Sequence, residues 1–381
     1  MQALRPKPDA GGPLLPRALA PCERRETEPM NGATIVRVRL AFPITIPVLI
    51  SASALAQPHL VFDHKIGTDW KPDSNHWMSY VAISSDGTTV VSDGNVPGIE
   101  SGGTGFLSFP GGDYLRNTAD RILSISPDFR YLAGEKSIVD LQTGRVIVRA
   151  SNRATRYTAA AFDPGGKYVA LTGGWSVDKN RGMQITVVRI ADGAAVASFG
   201  SRCATSLVFD PEDRIIASGH WNNVTLWDSR SGAKLAILYH AGKHVTGAGL
   251  NRDGRYIYGL GFSRDGSLLA AGSDDGELQI WDVAARKLLH TVNIGGGDVS
   301  DPAFSPDGKL LAAGTYGDGT VTLVDPVSGK ILSQTKVSMF GCGSVAFSPD
   351  GRFLITPSNG GLIGPRKFDR GGSVRVFRIE N

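Results

Sequence analysis

Phe304-Ser305-Pro306-Asp307-Gly308 and Phe347-Ser348-Pro349-Asp350-Gly351 are the clearest copies of a motif that recurs seven times along the chain. Phe262-Ser263-Arg264-Asp265-Gly266 differs by one residue. Ile83 to Gly87, Ile125 to Phe129, Phe162 to Gly166 and Phe209 to Asp213 are worn copies. Their fourth positions, 86, 128, 165, 212, 265, 307 and 350, give steps of 42, 37, 47, 53, 42 and 43 residues. A period of about 40–45 residues is the length of one four-stranded propeller blade.

The stretch Leu260 to Thr291 shows what each repeat encodes. Leu260-Gly261-Phe262 is a short apolar strand, and Arg264-Asp265-Gly266 turns the chain. Leu268 to Gly272 forms a second strand, and Asp274-Asp275-Gly276 is a hairpin signal. Leu278-Gln279-Ile280-Trp281-Asp282 alternates with period two, as a third strand should, and Leu288 to Val292 is a fourth. Small Ala and Gly fill the second strand, where blades crowd towards the axis, and bulky Trp281 stands where they diverge. The pattern predicts an all-β, seven-bladed β-propeller of four-stranded antiparallel blades over residues 57–381. The last repeat ends after Ser373 to Ile379 and lacks a fourth strand. The first apolar run, His59 to Ile66, belongs to no repeat, so this N-terminal strand is expected to pair with Val374 to Phe377 and close the ring.

Trp227-Asp228 and Trp281-Asp282, at the ends of third strands, resemble the WD-repeat family over about residues 60–381. The Gly-His that opens many repeats of that family is missing, and the Ser-Pro-Asp-Gly turns look more like its bacterial members. The resemblance implies a propeller that binds proteins.

Residues 1–29 are rich in Pro and charge and read as an upstream extension outside the fold. Met30 opens a short basic stretch, Leu40 to Ala52 is apolar, and Ala54-Leu55-Ala56 precedes Gln57. That is the layout of a signal peptide over residues 30–56, so the chain is expected in a periplasm or outside the cell, without stable membrane insertion after cleavage. Residues 1–56 hold seven Lys/Arg and four Asp/Glu of the chain's 40 and 36, leaving 33 basic against 32 acidic residues. A net charge near +1 argues against a nucleic-acid partner. Gly is 48 of 381 residues, well above the usual ~7% and in keeping with dense turns. Cys203 and Cys342 fall on nearly opposite repeats and are expected to remain unpaired; no C-x-x-C or zinc spacing occurs.

Two loop families share one face of such a ring: those between second and third strands, and the linkers between repeats. Trp70, Trp77, Trp175, Trp221 and Tyr316 fall there or near it, with His76, His220, His244 and Arg366. Exposed Trp, Tyr and Arg on loops held by a rigid scaffold are typical binding anchors. The alternative is that the aromatics only plug the channel mouth and pack on linkers. The expected partner is a protein or peptide, with carbohydrate as the other ligand that aromatic platforms hold, and no cofactor is expected. A propeller hydrolase or lactonase is the enzymatic alternative, and would need acids, His or metal ligands at the starts of first strands. Those starts carry Tyr80, Arg121, Thr158, Thr205, Tyr258, Asp301 and Ser344, of which only Asp301 is acidic, with Asp120 and Asp298 nearby. Without a converging His they do not compose a hydrolytic or metal site. The expectation is therefore a non-enzymatic scaffold.

Overall fold

The turn motif does in three dimensions what its residues suggest. A computed structural model describes residues 27–30, 33–39, 45–51, 57–70, 79–94, 103–150, 156–173, 184–200, 204–239, 256–338, 341–358, 361–364, 367–369 and 372–380. In the Phe304 repeat, the Ser305 hydroxyl donates to Asp307 Oδ1 at 2.6 Å and accepts the Leu310 amide at 2.9 Å. Asp307 Oδ1 also accepts the Lys309 amide at 3.1 Å, and the Gly308 amide closes the turn on the Ser305 carbonyl at 2.9 Å. Ser84/Asp86, Ser126/Asp128, Ser263/Asp265 and Ser348/Asp350 repeat this clamp with Ser–Asp distances of 2.5 or 2.6 Å. The Ser hydroxyls hold the Asp86, Asp265 and Asp307 carboxyls below the usual carboxylate range. In the two repeats with Asp in place of the serine, the carboxylates of Asp163 and Asp210 reach directly to the amides of Tyr168 and Ile215, at 2.5 and 2.7 Å.

The proline of the motif has a separate job, visible between repeats. The rings of Pro349, Pro127, Pro211 and Pro306 lie 3.4–3.9 Å from where a Cβ would stand on Gly87, Gly166, Gly266 and Gly351 of the following turn. Each of these glycines has φ between 64° and 71°, a region closed to most L-residues. Arg264 stands in the proline's place in the fifth repeat, and the next glycine, Gly308, has nothing within 4 Å.

The strands between these turns make seven four-stranded antiparallel sheets in a ring. Blade one spans residues 81–118, blade two 122–149, blade three 157–199, blade four 206–239, blade five 257–293 and blade six 303–336. Blade seven combines Ala346–Phe347, Phe353–Ser358 and Gly372–Glu380 with the N-terminal strand His59–Trp70. The expected closure is therefore present, with Val374 opposite Ile66, Val376 opposite His64 and Phe377 opposite Phe62. The Phe62 and Phe377 rings meet edge to face at 5.7 Å, and Arg378 Nε bonds Asp63 Oδ1 at 2.8 Å. A second hairpin, Gly361–Gly364 with Lys367–Asp369, rises between two strands of blade seven.

Apolar packing runs between blades. Ala170 and Val187 of blade three pack with Leu207, Phe209 and Trp227 of blade four. Val224 and Leu226 of blade four pack with Leu269 and Trp281 of blade five. Both Trp-Asp tryptophans are buried, as wedge packing requires. Cys342 is free and buried, and burial pushes its thiol up to about 12, which keeps it protonated and inert. Cys203 lies outside the described residues.

Residues Met1–Gln57 form a separate unit. Within it Thr27–Met30, Ala33–Arg39 and Thr45–Ser51 pair as a three-stranded antiparallel meander. No helix among the described residues is long and apolar enough to cross a membrane.

Replacing Arg264 by Pro should raise stability by roughly 0.4–1 kcal/mol, because the Ser263–Gly266 turn closes with the same backbone bond as the turns of Pro306 and Pro349 and the Gly308 surface is open. Thermal unfolding checks this. An unchanged or lower midpoint would show that the Ser263–Gly266 turn does not accept proline without strain.

Candidate functional site

The first strands converge on a cavity of about 690 Å³ along the ring axis. Its wall carries Tyr80, Arg121, Thr158, Thr205, Tyr258, Asp301 and Ser344, the strand starts that the repeat pattern placed nearest the axis. Two of these strands are bulged where they enter it. Tyr157 pairs with Gly173 and Ala159 with Thr172, leaving Thr158 between them. Ile257 pairs with Ser273 and Gly259 with Gly272, leaving Tyr258 between them. A bulge re-aims the side chain it carries. Gly259 follows because the chain passes Asp301 closely: a Cβ there would lie 2.5 Å from the Asp301 backbone.

The wall is electrostatically divided. On the blade one and two side, Arg121 Nε bonds Asp93 Oδ2 at 3.0 Å and its Nη2 bonds Ser79 Oγ at 2.6 Å. Asp93 also accepts the amides of Ser79 and Tyr80, at 2.7 and 2.8 Å, and the Ser79 hydroxyl at 2.7 Å. Glu135 lies 3.6 Å from Arg121 and 2.9 Å from Arg156. Burial opposes the Arg121 charge, but Asp93 and Glu135 outweigh it and raise the guanidinium further. Each charge here has a partner.

On the blade five and six side stand Asp298 and Asp301. Burial pushes the Asp301 carboxyl up to about 6, with no other group in play. Burial, then repulsion from Asp274, raises Asp298. Tyr258 sits among them, its phenol raised by burial and by the charges of Asp298 and Asp274.

Three exposed aromatics lead from the loop face to this acidic wall. Trp221, in the loop between second and third strands of blade four, stacks on Tyr256 with centroids 5.4 Å apart and ring planes 25° apart. Tyr256 meets Tyr258 at 6.0 Å. The three rings are 36%, 39% and 41% exposed, so the stack is an open apolar surface.

The candidates of the loop face separate in the structure. Trp221 is exposed and stacked as described. His220 turns inward: its Nε2 meets the Ser218 hydroxyl at 2.7 Å, and that hydroxyl accepts Trp227 Nε1 at 2.7 Å. Tyr316 occupies in blade six the place of Trp221 in blade four, but lines the cavity beside Ser79, its phenol raised by burial and by Asp93. His76, Trp77, Trp175, His244 and Arg366 lie outside the described residues. Sequence reasoning passed over Tyr256, Asp93 and Ser79. The alternation Tyr256–Tyr258 marks one side of a strand and was a usable signal. Asp93 and Arg121 are 28 residues apart and carry no periodic signal.

Among the described residues the cavity wall has no His or Cys, and no group of three His, Cys, Asp or Glu could hold a metal. The arrangement offers recognition surfaces: an apolar stack, acids with no cation beside them among the described residues, and a neutralised opposite wall.

Two stretches of the chain match a known family. Residues 240–282 and 286–325 match the WD domain, G-beta repeat. Over 59 residues the chain is 46% identical to apoptotic protease-activating factor 1 of Homo sapiens and 48% identical to that of Mus musculus. Each match covers 13% of this chain and 5% of the relative. These stretches support WD-type repeats in a ring whose seven blades the structure shows directly.

Asp301 gives a test of the wall. Its folded-state pKa of about 6 lies above the ordinary 3.8, so ionisation opposes folding. The penalty is absent below about pH 4, grows as pH rises and is complete above about pH 6. Asp301→Asn should therefore stabilise the protein by about 1–3 kcal/mol at pH 7.5 and by nothing at pH 4. Denaturant unfolding at the two pH values measures the difference, and equal effects at both would remove burial as the cause.

Proposed function

We propose that this protein is an exported, non-enzymatic scaffold that docks a protein partner on the loop face around Trp221. The observation that carries the reading is the open Trp221–Tyr256–Tyr258 stack beside the axial cavity. Stacked rings fixed by a rigid sheet lose little conformational freedom on binding, and such aromatics act as interface anchors. The WD-type repeats of residues 240–325 support a protein as the partner. The leader-like layout of residues 30–56 supports export. A binding role also accounts for a wall of acids and aromatics in which no nucleophile and base converge among the described residues.

Trp221→Ala and Tyr256→Ala should each abolish capture of the partner that the parent chain retains from the native extracytoplasmic fraction. Their melting temperatures should stay within a few degrees of the parent, because both rings are over one-third exposed. Undiminished capture by both variants would remove the docking face. A large loss of stability would mark the stack as packing.

A further inference from the structure

The acids of the blade five and six wall have the wrong surroundings for a structural role. Carboxylates withdrawn from bulk water are normally paired or hydrogen-bonded, and Asp298 and Asp301 are half-buried in the cavity wall. Asp93 is paired in this way: it has Arg121, Ser79 and two backbone amides. Asp301 lines the same cavity, and no donor or cation reaches its carboxyl among the described residues. Asp298 has only its own backbone for support, and Asp274 repels it. Among the described residues the one basic side chain on the cavity wall, Arg121, is committed to Asp93, Ser79 and Glu135. Among the described residues, the negative charge in the cavity is therefore compensated on one side and not on the other.

The aromatics complete the pattern. Tyr258 is the bulged residue that stands between this acidic wall and the exposed stack, and Tyr256 and Trp221 continue the apolar path outward to the loop face. The π-faces of Tyr and Trp attract cations, and their flat surfaces accept an alkyl stem. A ligand that matches the whole path has a hydrocarbon stem for the rings and a positive head for Asp298 and Asp301.

We propose that the axial cavity is a receptor for a basic side chain of the docked partner, lysine or arginine, inserted end-on past Trp221 and Tyr256 so that its charged head meets Asp298 and Asp301. The assignment rests on the docking reading above and gives it a chemical specificity. The stem lies along Tyr256 and Tyr258, and the head replaces the missing counter-charge of the acids. The neutralised Arg121–Asp93 side faces it without repelling it. An acidic or purely apolar side chain would leave the carboxylates unpaired and is rejected.

Saturation-transfer NMR on the full chain tests this with n-butylammonium and n-butylguanidinium as probes and n-butanol as the neutral control of equal stem. Both cations should bind saturably, and n-butanol should bind at least tenfold more weakly. Asp298→Asn/Asp301→Asn should weaken the cations at least tenfold and leave n-butanol unchanged. Equal binding of n-butanol and n-butylammonium to the parent chain would overturn the proposal, and that comparison needs no variant to fold. Unchanged cation affinity in the folded double variant would also overturn it. The two readings fail separately. Loss of cation preference with Trp221-dependent capture intact removes the cationic receptor and leaves the docking face. Cation binding with no Trp221-dependent capture removes the docking face and leaves the receptor.

Discussion

The bond between a serine hydroxyl and the aspartate two residues on is the constraint from which the ring is built. In five turns it fixes the chain reversal between first and second strands, because the same hydroxyl accepts the amide that starts the second strand. A turn stabilised this way leaves no buried amide without a partner. The residue that follows adopts positive φ, a glycine in four of the five turns, and at Gly87, Gly266 and Gly351 a proline of the preceding blade packs at ordinary contact distance. One five-residue motif therefore sets the hairpin within a blade and the contact between blades. Where the motif is worn, non-glycine residues take the strained position: Phe129 has φ 57° and Asp213 φ 56°. Conformations of that kind are costly away from glycine.

Blades held at these turns still need a reason to form a closed ring. Each blade has two apolar faces, and neither can be covered by the blade itself. Alanines in the second strands let neighbouring sheets approach near the axis, while Trp227 and Trp281 fill the wider space further out. The last apolar face and the last open edge are both resolved by the N-terminal strand. Leu60 and Ile66 are buried in it, and its backbone completes blade seven. The first and last segments of the ring thus belong to one sheet, so no blade can be lost without opening two faces.

Much of this was legible because it is periodic. The turn motif, the wedge of small and large residues and the unpaired first strand all follow from spacing, and the structure places His59–Trp70 beside Gly372–Glu380 as the pattern implies. The site was legible only in part, because its parts come from different repeats. Trp221 was visible as a tryptophan in a loop, but the partner it stacks on belongs to the next blade. His220 looked equivalent from its position, yet the Ser218 hydroxyl draws it inward towards Trp227. Tyr316 shares the alignment of Trp221 but meets the cavity instead, where its neighbours are Ser79 and Asp93. Periodicity fixes where a residue sits in its blade. What it touches across the axis depends on the one blade out of seven that differs.

That difference is concentrated in the cavity wall. A structural ring could carry the same small residue at every strand start, as blades three and four do with Thr158 and Thr205. This ring instead has Arg121 paired on one side and Asp301 with no partner among the described residues on the other. A paired charge at that depth is compatible with stability alone, since Coulomb attraction and hydrogen bonds offset its desolvation. An unpaired one lowers stability and returns nothing until a counter-charge arrives. The asymmetry between Arg121 and Asp301 separates the part of the wall that completes the fold from the part that awaits a ligand. The Trp221–Tyr256–Tyr258 stack is continuous with the second part only.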